Sequence, residues 1–273
     1  MGRAINQHPG AAGKVLLGAL PFLLLIAVYL MASDARLTAN PADKLLPSLE
    51  SFGAAIDRLA FQPDPRRGTY LLWADTAASL LRLGIALAIA TATGLLAGIA
   101  IGLLPMVRAA FAPLVAALSM VPPLAVLPVL FIVFGLGEVA KVTLIVVGIA
   151  PFMVRCMAMA VTGLPREQLI KAQTLGATTW QIVTRVVLPQ TLPRLVSALR
   201  LSLGPAWLFL ISSEAIAATE GLGYRIFLVR RYLAMDVILP YVLWITLLAF
   251  LLDYLLQRMA QRAFAWSPEG QEP

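Results

Sequence analysis

The chain has 273 residues, 60% of them hydrophobic and only 13% charged, with a formal net charge of +7. Soluble domains carry about a quarter charged residues, so this composition excludes a disordered chain and argues against a water-soluble globule. One cysteine, Cys156, and one histidine, His8, exclude an internal disulfide, a Cys/His metal site and a histidine-activated serine or cysteine nucleophile. No GxxxxGK[ST] loop is present, so the chain has no P-loop for ATP. The excess of positive charge reads as loop charge of a membrane protein rather than as a nucleic-acid surface.

Leu83–Val107 and Ala109–Gly137 hold no charged residue. A bilayer core of about 30 Å needs roughly 20 apolar residues as a helix. The alternating segments of a β-barrel are absent. The sequence therefore predicts an all-α membrane protein with six transmembrane helices. Residues 1–14 form a polar tail. The first span, Val15–Met31, is longer than a signal-peptide core and reads as an uncleaved helix. Residues 32–70 follow as a polar segment. In it Leu45, Leu46, Leu49, Phe52, Ile56 and Leu59 recur at helical spacing, which predicts an amphipathic helix on the membrane surface.

Residues 71–266 then form a core of five spans. The second span, Leu80–Leu104, places Gly94, Gly98 and Gly102 four apart, a stripe for close helix packing. The third, Phe111–Phe134, carries Pro122, Pro123 and Pro128, which remove backbone donors and kink it. The fourth is Val142–Gly163, the fifth Leu195–Ala218 and the sixth Val237–Met259. Residues 267–273 close the chain as a second tail. Once the long 32–70 segment is set aside, lysine and arginine are richer on the side of the termini, which predicts cytoplasmic termini and a periplasmic 32–70 segment.

The loop between the fourth and fifth spans, residues 164–192, is too polar to cross the membrane yet helical in pattern. Pro165 suits a first helical turn. Leu169, Ala172 and Leu175 share a face, and Gly176 breaks the helix as a residue free to take positive φ. Thr178 and Gln181 form a capping box that restarts it. Ile182, Val183, Val186 and Val187 make a new apolar stripe, and Pro189 and Pro193 are expected to end it and set the angle into the fifth span. Two short helices with an exposed Leu175–Gly176–Ala177–Thr178 turn are shaped to dock into something. Trp180, four residues past the glycine, either anchors the loop to its own body or reaches the partner.

At these residues the chain resembles the inner-membrane permeases of binding-protein-dependent ABC importers. Ala172, Gly176, Val186, Leu188 and Pro189 fall at the offsets of their cytoplasmic loop signature, whereas Ile170 and Lys171 depart from it where Glu and Ala are usual. Val121–Lys141, Ser213–Tyr224 and Trp266 resemble the nitrate, sulfonate, taurine and bicarbonate branch. The resemblance runs from about Leu72 to Trp266. It implies a type I importer fold in the bacterial inner membrane, working as a pair of permeases. Two ATPase chains, which bind the ATP and Mg²⁺, would meet the loop. A periplasmic or lipid-anchored binding protein would serve the other side. The chain itself would be no enzyme and hold no cofactor.

Charges inside spans need a reason. Arg200 and Glu214 lie 14 residues apart in the fifth span, within about 40° of one face and roughly 21 Å apart along it. They read either as two levels of a translocation pathway, or as a snorkelling arginine and a helix-bonding acid. Arg155 faces the pathway or braces the loop. Asp253 and Arg258 read as structural, Arg82 as interfacial, and Trp73, Trp207, Tyr241 and Trp244 as interface anchors. Pro122 and Pro123 mark a bend that shapes the gate. A small anion is the expected solute. The competing reading is a proton-coupled secondary transporter using Glu214 and Asp253, which leaves the helical loop unexplained.

Overall fold

The computed structural model describes residues 10–41, 43–65 and 68–267. Most of the expected N-terminal tail and nearly all of the C-terminal tail therefore lie outside the described residues. The described residues are helical, with no strand. In order the helices are α1 (Ala11–Ala39), α2 (Leu49–Ile56), α3 (Leu71–Leu103), α4 (Pro105–Leu118), α5 (Pro123–Phe134), α6 (Glu138–Thr162), α7 (Arg166–Thr174), α8 (Thr179–Ile182), α9 (Leu188–Ala217), α10 (Leu222–Arg230) and α11 (Met235–Ala263). Five stretches are long and apolar enough to cross a membrane singly, and α4 with α5 make a sixth if taken as one span.

The third span is not a kinked rod. It is two helices meeting at 96°. Pro122 is extended, at ψ 115°, and Pro123 opens α5. A residue before proline is pushed out of the helical region, so the pair forces a break where one proline would bend the helix. The α3 helix begins at Leu71 rather than Leu80. Its first turns carry Asp75, Thr76, Ser79 and Arg82, polar residues that obscure the span in the sequence yet are buried here. At roughly 50 Å, α3 is longer than the hydrocarbon core, so these residues sit toward one end of it.

Pro189 and Pro193 do not end the loop helix. Thr179–Ala217 runs on as one 39-residue helix. The π-helical turn Val183–Val187 widens the backbone ahead of Pro189 and tolerates its missing donor. Side chains take up neighbouring carbonyls. Thr191 Oγ1 donates to Val187 O at 2.9 Å and Gln190 Nε2 to Val186 O at 2.9 Å.

The body is built on α3, α6 and α9. The glycine stripe of α3 lies directly on α6. A Cβ on Gly94, Gly98 or Gly102 would come within 2.8, 2.3 or 2.5 Å of the Cβ atoms of Met153, Met157 and Val161. On the other side of α6, Gly148 receives the Phe209 ring of α9. The α1 helix is separate, with no buried residue in its apolar window. It is held at its far end, where Tyr29 Oη donates to Pro47 O at 2.6 Å and Ser33 Oγ to Leu46 O at 2.9 Å. The amphipathic helix is shorter than its spacing predicts. Leu45 and Leu46 precede it, and it closes in a π-helical turn, Asp57–Phe61. Its Phe52, Ile56 and Leu59 share a groove with Trp73, Tyr241 and Trp244.

The stripe yields a direct test. Gly98→Ala should cost about 1–3 kcal/mol by overpacking and lower the thermal midpoint of the detergent-purified protein. Gly84→Ala, with nothing within 4 Å of its added Cβ, should not. Equal midpoints would show that α3 and α6 do not pack at this distance.

Candidate functional site

The two ends of the bundle carry different chemistry. At one end lie the loop helices. α7 stops in a Schellman motif: Gly176, at φ +78°, donates to Gln173 O at 2.9 Å and Ala177 N donates to Ala172 O at 3.0 Å. α8 starts in the reciprocal capping box, with Thr178 N donating to Gln181 Oε1 at 2.8 Å and Gln181 N to Thr178 Oγ1 at 3.3 Å. Ile182 and Val187 are buried with Ile99 and Val161 of the body, and Leu169, Ala172, Ala177, Val183 and Leu188 pack around them. Gln190 Nε2 donates to Gln168 Oε1 at 3.0 Å and ties α7 to α9.

Leu175 and Trp180 face away from this cluster, 79% and 74% exposed, as does Ile170. Leu175 caps α7 and so leaves the periodicity that would place it beside Leu169 and Ala172. Trp180 does not anchor the loop to its own body. Pro189 opens α9 and is half-buried.

At the other end lies a buried ion cluster that sequence reasoning largely missed. Asp75, Ser79 and Arg82 repeat at i, i+4 and i+7, one stripe of α3. Glu214 of α9 has no exposed surface. It accepts from Ser79 Oγ at 2.8 Å, Arg82 Nη1 at 2.8 Å and Gly223 N at 2.9 Å. Arg82, 4% exposed, also forks onto Glu138 of α6 and donates to Glu220 O at 3.0 Å. Lys141 Nζ donates to Glu138 at 2.7 Å. Asp75 accepts from Arg225 Nε at 2.8 Å and Tyr241 Oη at 3.1 Å.

The cluster grips one short piece of backbone. Three successive N–H groups, of Gly221, Leu222 and Gly223, donate to Asp75, Ser79 and Glu214. The approach is so close that a Cβ on Gly221 would lie 2.6 Å from the Glu214 carboxylate, and Gly221 has φ +123°. Only glycine meets both demands. The turn therefore fixes α10 onto α3 and α9.

Several sequence expectations change here. Arg82 is the centre of this cluster, not an interfacial residue. Tyr241 and Trp207 are buried, not interface anchors. Trp73 and Trp244 stay near the surface, in edge-to-face contact at 5.6 Å, with their N–H groups donating to Ala60 O and Thr76 Oγ1. Arg200 does not snorkel. It forks onto Asp253 of α11 at 2.8 and 3.0 Å, while Arg258 bonds Tyr254 Oη. Arg155 is exposed beside Ala112 and Val115 of α4, not beside the loop helices. Pro122 and Pro123 stand at the elbow of α4 and α5, Pro122 exposed and Pro123 half-buried. The sequence signal for the cluster was the polar i, i+4, i+7 stripe opening α3.

A sequence profile of the family described as "binding-protein-dependent transport system inner membrane component" matches residues 82–264. The chain belongs to this family. The taurine transport system permease TauC of Escherichia coli K12 is 40% identical over 201 residues, covering 73% of each chain. The nitrate import permease NrtB of Leptolyngbya laminosa is 26% identical, covering 95% of this chain and 93% of its own. A solved bacterial alginate ABC transporter, in complex with its alginate pentasaccharide-bound periplasmic protein, has a TM-score of 0.62 at 14% identity, covering 92% of this chain and 98% of that one. That likeness supports the fold. The chain is thus an ABC importer permease of the branch that holds the taurine, sulfonate and nitrate permeases.

Removing one partner of a buried pair strands the other and costs about 3–5 kcal/mol. Arg82→Met should therefore destabilise the purified permease by that order, whereas Arg258→Met, at an exposed site, should not. Matching denaturation curves would remove the cluster from the account.

Proposed function

We propose that this permease is the membrane half of an ATP-driven importer for a small anion of the sulfonate, taurine or nitrate kind. Two copies pair to form the passage. Two ATPase chains dock on the loop helices at the cytoplasmic side, where both termini lie. A binding protein delivers solute at the α10 end. The observation that carries this reading is the exposed Leu175–Trp180 turn, presented on two helices whose other side is buried in the body. A short apolar tip on rigid helices is what a groove in a partner needs. The names of the relatives support the anion class.

In this reading Thr179–Ala217 is the moving part. The same helix holds Trp180 at one end and Glu214 toward the other. A push on the loop then reaches the ion cluster without crossing a flexible joint. Glu214 and Arg82 act as a lock on the outer ends of the helices and do not touch solute. The α4–α5 elbow at Pro122–Pro123 shapes the gate. A proton relay through Glu214 and Asp253 is not favoured, because each carboxylate is held by an arginine.

Gly176 tests the coupling. A Cβ there meets nothing within 4 Å, so only the positive φ resists a side chain. Gly176→Val strains the turn by about 1–3 kcal/mol without a clash. The variant should insert and pair normally but lose about tenfold or more of its retention of the co-expressed ATPase on co-purification. Full retention by the valine variant would show that the turn is not the contact.

A further inference from the structure

The end of α10 carries a pair of cations, Arg230 and its C-cap Arg231, that the buried cluster does not use. Arg82, Lys141 and Arg225 each meet a carboxylate. Arg230 and Arg231, where α10 ends, have no carboxylate partner among the described residues. They line a groove of about 290 Å³ with Tyr224, Phe227, Leu228 and Ala215. That size suits a small molecule rather than a large ligand. No acidic residue lines it.

The groove is built, not merely charged. The Arg230 guanidinium stacks over the Phe227 ring at 4.8 Å, which restrains its direction. Arg231 stands exposed at the same rim. Planar guanidinium groups match the spaced oxygens of an oxyanion. Phe227 and Leu228 of the same helix and Ala215 of α9 supply the apolar part of its lining. Ala215 follows Glu214 in the chain, so α9 turns the carboxylate inward to the cluster and the methyl outward to the groove.

We propose that this groove is an anion-accepting subsite at the outer mouth of the permease. Arg230 and Arg231 take the oxyanion head of a short organosulfonate, and Phe227 and Leu228 take its alkyl stem. The solute rests there between the binding protein and the passage. The inference rests on the reading of the chain as an importer of such anions.

The test uses the full complex, with its ATPase and binding protein, in proteoliposomes. Taurine uptake is measured at saturating taurine-loaded binding protein, and the affinity of that protein for the complex is measured in parallel. Losing charged hydrogen bonds to a bound anion should cost about tenfold or more. Arg230→Gln with Arg231→Gln should lower uptake by that factor while binding-protein affinity holds, and Arg230→Lys with Arg231→Lys should recover part of it. Unchanged uptake overturns the subsite. A fall in binding-protein affinity equal to the fall in uptake also overturns it, and makes the arginines a docking face. If the unmodified complex imports neither taurine, methanesulfonate nor nitrate, the anion reading itself fails and the subsite falls with it.

Discussion

Glu214 can lie inside an apolar bundle only because Arg82 faces it. A lone carboxylate without exposed surface costs several kcal/mol in water-free surroundings. The structure answers with a paired set: three cations, Arg82, Lys141 and Arg225, meet the carboxylates of Asp75, Glu138, Glu214 and, at 3.9 Å, Glu220. Asp75 and Arg82 come from α3, Glu138 and Lys141 from α6, Glu214 from α9 and Arg225 from α10, so satisfying the charges also joins these four helices. The glycines of the Gly221–Gly223 turn are a consequence, since the backbone must come within hydrogen-bond reach of side chains already paired with one another.

Elsewhere the bundle is held by shape. The stripe of Gly94, Gly98 and Gly102 lets α3 lie against α6 backbone to backbone, which is how helices associate where lipid offers no hydrophobic drive. This leaves the two ends with separate designs. One is locked by charge and carries α10. The other is an apolar seat for the loop helices under an exposed tip. The long helix from Thr179 to Ala217 joins them, and its continuity depends on the π-helical turn that accepts Pro189.

What was legible in the sequence was local. The spans follow from apolar length, the stripe from four-residue spacing, and the loop from its capping box and glycine stop. All are set by neighbours within a turn or two. The cluster was not legible, because Arg82 and Glu214 are 132 positions apart and periodicity names a face without naming what meets it. Arg82 near the end of a span looked interfacial for the same reason, and Asp75 and Ser79 fell outside a span drawn only on apolar length. Pro122–Pro123 announced a bend, but the pair gives a 96° break because Pro123 holds Pro122 in an extended conformation. Pro189 and Pro193 misled because a proline rule assumes α-helical spacing ahead of it.

In the proposed function, this permease moves solute on ATP hydrolysed by a partner that grips the loop, and its intramembrane acids serve structure. That function is tested most directly by uptake into proteoliposomes that hold the permease, ATPase and binding protein. Internal ATP and an imposed proton gradient are varied independently. The account predicts uptake that requires ATP and survives a protonophore. Uptake that proceeds without ATP and collapses with the proton gradient would contradict it.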